Sequence, residues 1–178
     1  MTSRLCDTIP TRFSDQRRRE AHITIELALY QPEIAQNTGS MLRLCACFGV
    51  RMHIIHPTGF PFSRRALKRG GLDYVEHADF VEHDDFAAFE SWREAAGRRL
   101  ELLTTKAAAS AYAGNFEPTD ILMVGRESAG VREAVAQRAG LRLRIPMREG
   151  LRSLNVATAA SLVLGEALRQ TGYFETIR

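Results

Sequence analysis

Short apolar runs alternate along this chain with segments in which apolar residues recur at helical spacing. The apolar runs predict five buried strands at residues 23–30, 50–55, 100–105, 121–125 and 141–146, and a further short strand is expected within 72–81. The helical segments are expected to begin near Asn37 or Thr38, at Ser63, at Asp84 and Asp85, at Val131 and at Asn155. Residues 107–120 are predicted to form a long loop.

Strands that alternate with helices favour an α/β fold with a mostly parallel sheet and helices on both of its faces. The chain has 178 residues, enough for one such domain, which we expect to span residues 22–178. Residues 1–21 carry five arginines and little hydrophobic periodicity. We expect them to form a flexible basic extension, with a basic arm that touches RNA as the alternative.

The composition is that of an ordinary soluble protein, with 45% hydrophobic and 25% charged residues. No apolar run approaches the length of a membrane span, and the N-terminus lacks the apolar core of a secretory signal. The three cysteines, Cys6, Cys45 and Cys47, suit free thiols in a reducing cytoplasm. No cluster of His, Cys and Asp has the spacing of metal ligands, so we expect no metal.

Positive charge is concentrated in one segment, although the net charge is only +3. Residues 34–72 contain no Asp or Glu but several basic residues. A stretch of this kind predicts a surface for a polyanion such as RNA, carried by Arg64, Arg65, Lys68 and Arg69. The alternative is a chance run of solvated cations, because no aromatic residues are interleaved with the basic ones.

The loops that end the predicted strands are the places where an α/β sheet binds ligands. They follow Tyr30, Thr105, Gly125 and Pro146. Gly125 allows close approach to the backbone, and Glu127 is expected at the entrance of a helix, where the helix dipole favours a carboxylate. An apolar floor with backbone N–H groups at its rim suits an adenosyl-type ligand. The glycine pattern matches neither a phosphate-binding loop nor a dinucleotide fingerprint, and no GxSxG sequence is present.

The last predicted helix is made largely of small and apolar residues, with Asn155 as its expected N-cap. Ala157, Ala160, Ser161 and Gly165 would allow another backbone to approach closely. We therefore expect this helix to pack tightly, either inside the fold or across a homodimer. His77 and His83 are interpreted as loop residues.

Five segments, taken in order, resemble one protein family. They are residues 28–60, GGLDYVEH, LLTTK, ILMVGRESAG, and RIPM followed by RSLNVATAAS. They resemble the SPOUT class of RNA methyltransferases, and within it the TrmL group of tRNA 2′-O-methyltransferases, which modify cytidine or uridine at wobble position 34. The resemblance covers about residues 23–173. It implies an α/β domain with a C-terminal trefoil knot and a homodimer, and it implies tRNA as the partner and S-adenosylmethionine as the cofactor.

By match to the family, a further set of residues would bind this cofactor: Leu103, Gly125, Ile145, Met147, Ser153, Leu154 and Asn155. The family's catalytic arginine corresponds to Arg43, with Asn37 and Glu127 as supporting residues of the site. Because a guanidinium stays protonated, we expect Arg43 to orient ribose and phosphate more than to act as a base. The resemblance leaves the general base unidentified.

Two positions depart from the family pattern. Gly165 stands where many wobble-type members have tyrosine, and the family's GPE is GRE here, which adds the charge of Arg126 near the pocket. The departure at Gly165 leaves methylation of another tRNA or rRNA ribose as an alternative. A catalytically silent RNA-binding dimer is a second alternative, and the intact set of family-matched residues argues against it.

Overall fold

A parallel sheet forms the centre of the protein in the computed structural model, which describes residues 24–63 and 76–177. The described strands are β1 (Glu26–Tyr30), β2 (Met52–Ile55), β3 (Phe80–His83), β4 (Arg99–Leu103), β5 (Ala109–Ser110), β6 (Asp120–Val124) and β7 (Leu141–Arg144). Their spatial order is β3-β2-β1-β6-β4-β7-β5, and every neighbouring pair is parallel. The carboxyl ends of all these strands therefore meet at one edge of the sheet.

Helices cover both faces of this sheet, as the alternation predicts. The helices are α1 (Ala35–Phe48), α2 (Phe86–Ala95), α3 (Glu133–Ala136) and α4 (Val156–Gln170). Along β1, Leu27 and Leu29 join the core beneath α1 and α4, whereas Ala28 and Tyr30 join the core beneath α2 and α3. This division follows from the two-residue side-chain period of a strand. The α/β fold with helices on both faces is confirmed.

The helix starts agree with the sequence in two cases and differ in a third. Asp85 caps α2 by accepting from the backbone N–H of Ala88, and Asn155 caps α4 by accepting from two backbone N–H groups. The expected N-cap role of Asn37 or Thr38 is wrong, because α1 already begins at Ala35. Asn37 therefore lies in the first turn of α1. Its side chain does not cap the helix and can contact residues elsewhere in the fold.

Helix α4 packs its small residues inside the protomer. Ala157 and Ala160 are buried against the core that α4 shares with α1, so they are not available to a partner subunit. Ser161 and Gly165 lie toward the outer side, together with Leu162, whose side chain is 44% exposed. The packing of this helix inside the fold is confirmed, and only its outer stripe remains open to a subunit interface.

Other local predictions are refined by the structure. His83 is not a loop residue, because it ends β3, and its Nε2 lies 2.9 Å from Nδ1 of the buried His53. The predicted loop 107–120 contains the short strand β5 and a 3₁₀ turn at Ala111–Ala113. The basic extension, the helix expected after Ser63, and Arg64, Arg65, Lys68 and Arg69 lie outside the described residues. Within those residues, no helix is long and apolar enough to cross a bilayer.

Candidate active site

A cavity of about 480 Å³ opens at the carboxyl edge of the sheet, between the ends of β4, β6 and β7. It is lined both by apolar residues and by polar and basic ones. Six residues predicted for cofactor binding line it: Leu103, Gly125, Ile145, Met147, Ser153 and Leu154. These residues are far apart in sequence, and the parallel sheet brings them together because the loops that carry them follow adjacent strands.

Gly125 is required by the shape of the loop after β6. Arg126 and Gly130 exchange two backbone hydrogen bonds of 3.0 and 2.9 Å, which close the loop on itself. A Cβ at position 125 would lie 2.6 Å from the carbonyl carbon of Gly130, closer than atoms can approach. Gly125 thus keeps this wall of the cavity flat, and any larger residue would push the loop apart.

Asn155, Asn37 and Glu127 form a chain of hydrogen bonds beside the cavity. The side-chain amide of Asn155 donates to Oδ1 of Asn37 at 2.9 Å, and the amide of Asn37 donates to Oε1 of Glu127 at 3.1 Å. Oδ1 of Asn155 caps α4, so its amide is held in one orientation. The three family-matched polar residues are therefore assembled into one fixed arrangement from the first turn of α1, the loop after β6 and the N-cap of α4.

The sequence predicts Glu127 at the entrance of the helix that follows it, α3, but the structure orients Glu127 at the start of α1. The helix that follows it begins only at Glu133, so Glu127 is not at its entrance. Instead, Oε2 of Glu127 accepts from the backbone N–H of Glu33 at 2.9 Å, just before α1. The N-terminal end of α1 therefore provides the positive dipole and the free N–H groups that favour this carboxylate.

Glu33 and Ser128 complete a reciprocal clamp that sequence reasoning missed. The carboxylate of Glu33 accepts from the backbone N–H of Ser128 at 2.9 Å and from its hydroxyl at 2.8 Å. These hydrogen bonds from Ser128 hold the pKa of Glu33 below its ordinary value. Glu33 lies in a loop with no periodic pattern, so nothing local marks it; only the pairing of the loops after β1 and β6 reveals its role.

Arg126 and Arg43, the two arginines that the family resemblance singles out, lie in different positions relative to the cavity. Arg126 lines it, and the Nε atom of Arg126 is buried without a hydrogen-bond partner. Arg43 is exposed on α1 and is not among the residues that line the cavity. The structure thus brings Asn37, Glu127 and Asn155 together and leaves Arg43 outside the pocket.

The residues of the cavity suit an adenosyl-type cofactor. Leu102, Leu103, Val124, Ile145 and Met147 offer apolar surface on which a planar base can pack. The flat wall at Gly125 and the polar groups of residues 152–153 supply the few oriented contacts that such a ligand also needs. Within the described ranges, no group of three or more His, Cys, Asp or Glu residues could hold a metal ion.

Comparison with known proteins identifies the family of this chain. The sequence profile of the SpoU rRNA Methylase family matches residues 24–165. The chain belongs to this family.

Individual relatives agree with the family match. The chain is 56% identical to a tRNA (cytidine(34)-2′-O)-methyltransferase of Beijerinckia indica, over 82% of this chain and 91% of that protein. It is 43% identical to a solved structure described as giving structural insights into the 2-OH methylation of C/U34 on tRNA. That match has a TM-score of 0.77 and covers 83% of this chain and 95% of the other.

A third SpoU-type relative carries the cofactor. It is an AdoMet-bound rRNA methyltransferase of Sinorhizobium meliloti, 25% identical, with a TM-score of 0.73. The match covers 82% of this chain and 56% of that longer one. The resemblance to SPOUT-class RNA methyltransferases and the α/β fold with a parallel sheet are thus confirmed.

Proposed function

We propose that this SpoU family member is a tRNA (cytidine(34)/uridine(34)-2′-O)-methyltransferase that uses S-adenosylmethionine. The observation that carries the proposal is the hydrogen-bonded chain of Asn155, Asn37 and Glu127 beside an apolar cavity. The substrate is taken from the similarity of the chain to tRNA (cytidine(34)-2′-O)-methyltransferases. Because tRNA is that substrate, we also propose a cytoplasmic location.

The cofactor would supply an electrophilic methyl group, and the chain must place a ribose 2′-hydroxyl against it. Leu103, Gly125, Ile145, Met147, Ser153 and Leu154 would hold the cofactor, with Asn155 fixing the loop that carries the last two. Holding both reactants in one geometry accounts for much of the rate that such an enzyme gains.

Glu127 is the group we assign to the proton of the 2′-hydroxyl. Each of its two carboxylate oxygens accepts one hydrogen bond within the protein, which leaves further lone pairs for a substrate hydroxyl. Asn37 cannot take the proton, because a neutral amide is far too weakly basic, and its amide oxygen accepts from Asn155. Asn37 is therefore a positioning residue in this proposal, and Glu127 is the base.

Arg43 acts on the RNA outside the cavity in this proposal. Its exposed place on α1 suits a forked donor that orients the ribose and its phosphate. Arg43→Ala should reduce single-turnover methylation at saturating tRNA, and Arg43→Lys should restore little, because an ammonium lacks the bidentate geometry. Near-normal single-turnover rates for Arg43→Ala would remove Arg43 from the mechanism.

We further propose the family's trefoil knot in the C-terminal region and a homodimer. The outer stripe of α4, with Leu162 and Gly165, supports an interface, since a Cβ at Gly165 would meet no described atom beyond the backbone of its own helix within 4 Å. The small residues that face inward are already used by the core.

The position of methylation tests the proposal directly. Purified protein, S-adenosylmethionine and tRNA should yield one 2′-O-methyl group at nucleotide 34. A matched tRNA with 2′-deoxycytidine at 34 should accept none. Methylation that persists on the deoxy substrate would place the target at another ribose, and tRNA binding without any methylation would indicate a catalytically silent protein.

A further inference from the structure

A second hollow lies beside the cavity and is lined by arginines. It has a volume of about 190 Å³ and includes Arg144, Arg148 and Arg152 together with Thr105. Thr105, Ile145, Met147 and Arg152 line both spaces, so the hollow adjoins the main cavity. We refer to it as the arginine hollow.

The three arginines of the hollow are exposed and have no side-chain partner among the residues that the structure describes. None of their guanidinium groups forms an ion pair or a side-chain hydrogen bond with any described residue. The one carboxylate that lines the hollow, Glu149, makes no ion pair with them. Three cations close together repel one another, and an external anion would relieve that repulsion.

Most of the other arginines in the described chain are paired. Seven of them are paired with carboxylates: Arg51 with Asp79, Arg93 with Glu90, Arg98 with Glu26, Arg99 with Asp120, Arg138 with Glu90, Arg142 with Glu133, and Arg169 with Glu166. Arg126 and Arg132 form no ion pair with a described residue either, so what distinguishes the arginine hollow is that three such arginines line one space.

The chemistry of the reaction indicates which anion belongs there. The 2′-hydroxyl and the 3′-phosphate of a nucleotide are attached to neighbouring carbons of one ribose. If the hydroxyl enters the main cavity, the 3′-phosphate must lie close beside it. The arginine hollow shares four lining residues with that cavity, and guanidinium groups match the geometry of phosphate oxygens.

We propose that the arginine hollow binds the RNA phosphate on the 3′ side of the methylated nucleotide. This inference rests on the proposed function and adds a substrate contact that is distant in sequence from the basic segment 64–69. The hollow fixes the target ribose from its phosphate side, while Asn37 and Glu127 meet it at the hydroxyl.

A charge-removal experiment tests the hollow. Arg144→Gln with Arg148→Gln should weaken tRNA binding by roughly 10- to 100-fold, as expected for lost hydrogen bonds to a charged group. The slope of log K against log salt should fall by about 0.7–0.9 for each lost phosphate contact. Arg169→Gln is the matched control, because Arg169 is exposed but already bound by Glu166. Equal losses in the control would show only a general charge effect and would overturn the proposal.

A phosphate-removal experiment identifies the partner. An anticodon stem-loop with a neutral methylphosphonate 3′ to nucleotide 34 should bind wild-type protein more weakly, whereas the double variant should lose nothing further. If the losses of affinity from the methylphosphonate and from the double variant add together, the proposal is overturned. A weakened affinity of the double variant for S-adenosylhomocysteine without RNA would also overturn it, since the hollow would then hold the cofactor carboxylate. Wild-type protein that binds the stem-loop but does not methylate it would contradict the proposed function. The binding of the phosphate and methylphosphonate stem-loops to wild-type and variant protein would still test the arginine hollow.

Discussion

Replacing Glu101 with glutamine should stabilise the protein at neutral and alkaline pH. Glu101 lies on β4 and is only 1% exposed. Its Oε2 atom has no hydrogen-bond partner, and the nearest cation, Arg99, is 3.5 Å from Oε1. Burial, together with the negative charge of Asp120, raises the pKa of Glu101 to about 7 from an ordinary 4.5. Between these two pKa values, Glu101 therefore keeps its proton in the folded protein and releases it in the unfolded chain.

The sign and size of the effect follow from this difference. Between pH 4.5 and 7 the folded state binds more protons than the unfolded state, so its free energy of unfolding falls as the pH rises. The contribution is complete below pH 4.5 and is lost as the pH passes through 7. A shift of this size corresponds to about 3 kcal/mol, at about 1.4 kcal/mol for each pKa unit. A neutral glutamine has no such dependence.

Urea unfolding from pH 5 to pH 8.5, at one protein concentration, measures this. Wild type and Glu101→Gln should differ little at pH 5, and the variant should be more stable by up to about 3 kcal/mol at pH 8. Glu133→Gln is the control for loss of a carboxylate, because the side chain of Glu133 is 70% exposed. If the curves of wild type and Glu101→Gln run parallel across this range, Glu101 does not hold a proton in the folded state.

Three further changes test the site and the assembly. Gly125→Ala should abolish calorimetric binding of S-adenosylmethionine, since its Cβ would meet Gly130 at 2.6 Å; normal binding would show that the loop adapts. Glu33→Gln should lower kcat by at least about tenfold with little change in the melting temperature, because it weakens the hydrogen bonds from Ser128 that hold the loop of Glu127. An unchanged kcat would exclude a positioning role for Glu33. Leu162→Lys should yield monomers by light scattering, and a dimer that persists would place the interface elsewhere.

The sheet and the helices could be predicted because their signals are local. Leu27 and Leu29 alternate with Ala28 and Tyr30 because each pair faces a different core, and that alternation is written directly in the sequence. Capping by Asn155 is equally local. These features depend on residues within one turn or one strand, so periodicity and propensity suffice to find them.

The site could be predicted only in part, because its contacts are long-range. Asn37 has the residue type of a helix cap, and its true partner, Glu127, is far along the chain. His83 looks like a loop residue until its pairing with His53 across two strands is known. Family resemblance found the members of the site, but nothing in spacing or composition could show that Glu33 holds Ser128.

The strand order has a consequence for how the protein acquires activity. β1, β2 and β3 are consecutive in the chain and adjacent in the sheet, so this half can pair early. The site joins residues separated by 90 positions at Asn37 and Glu127 and by 118 at Asn37 and Asn155. Contacts of such long sequence separation form slowly, because the entropy of closing the loop must be overcome first. During synthesis, an ordered half-sheet therefore precedes any active site, and the ability to methylate arrives only with the last helix.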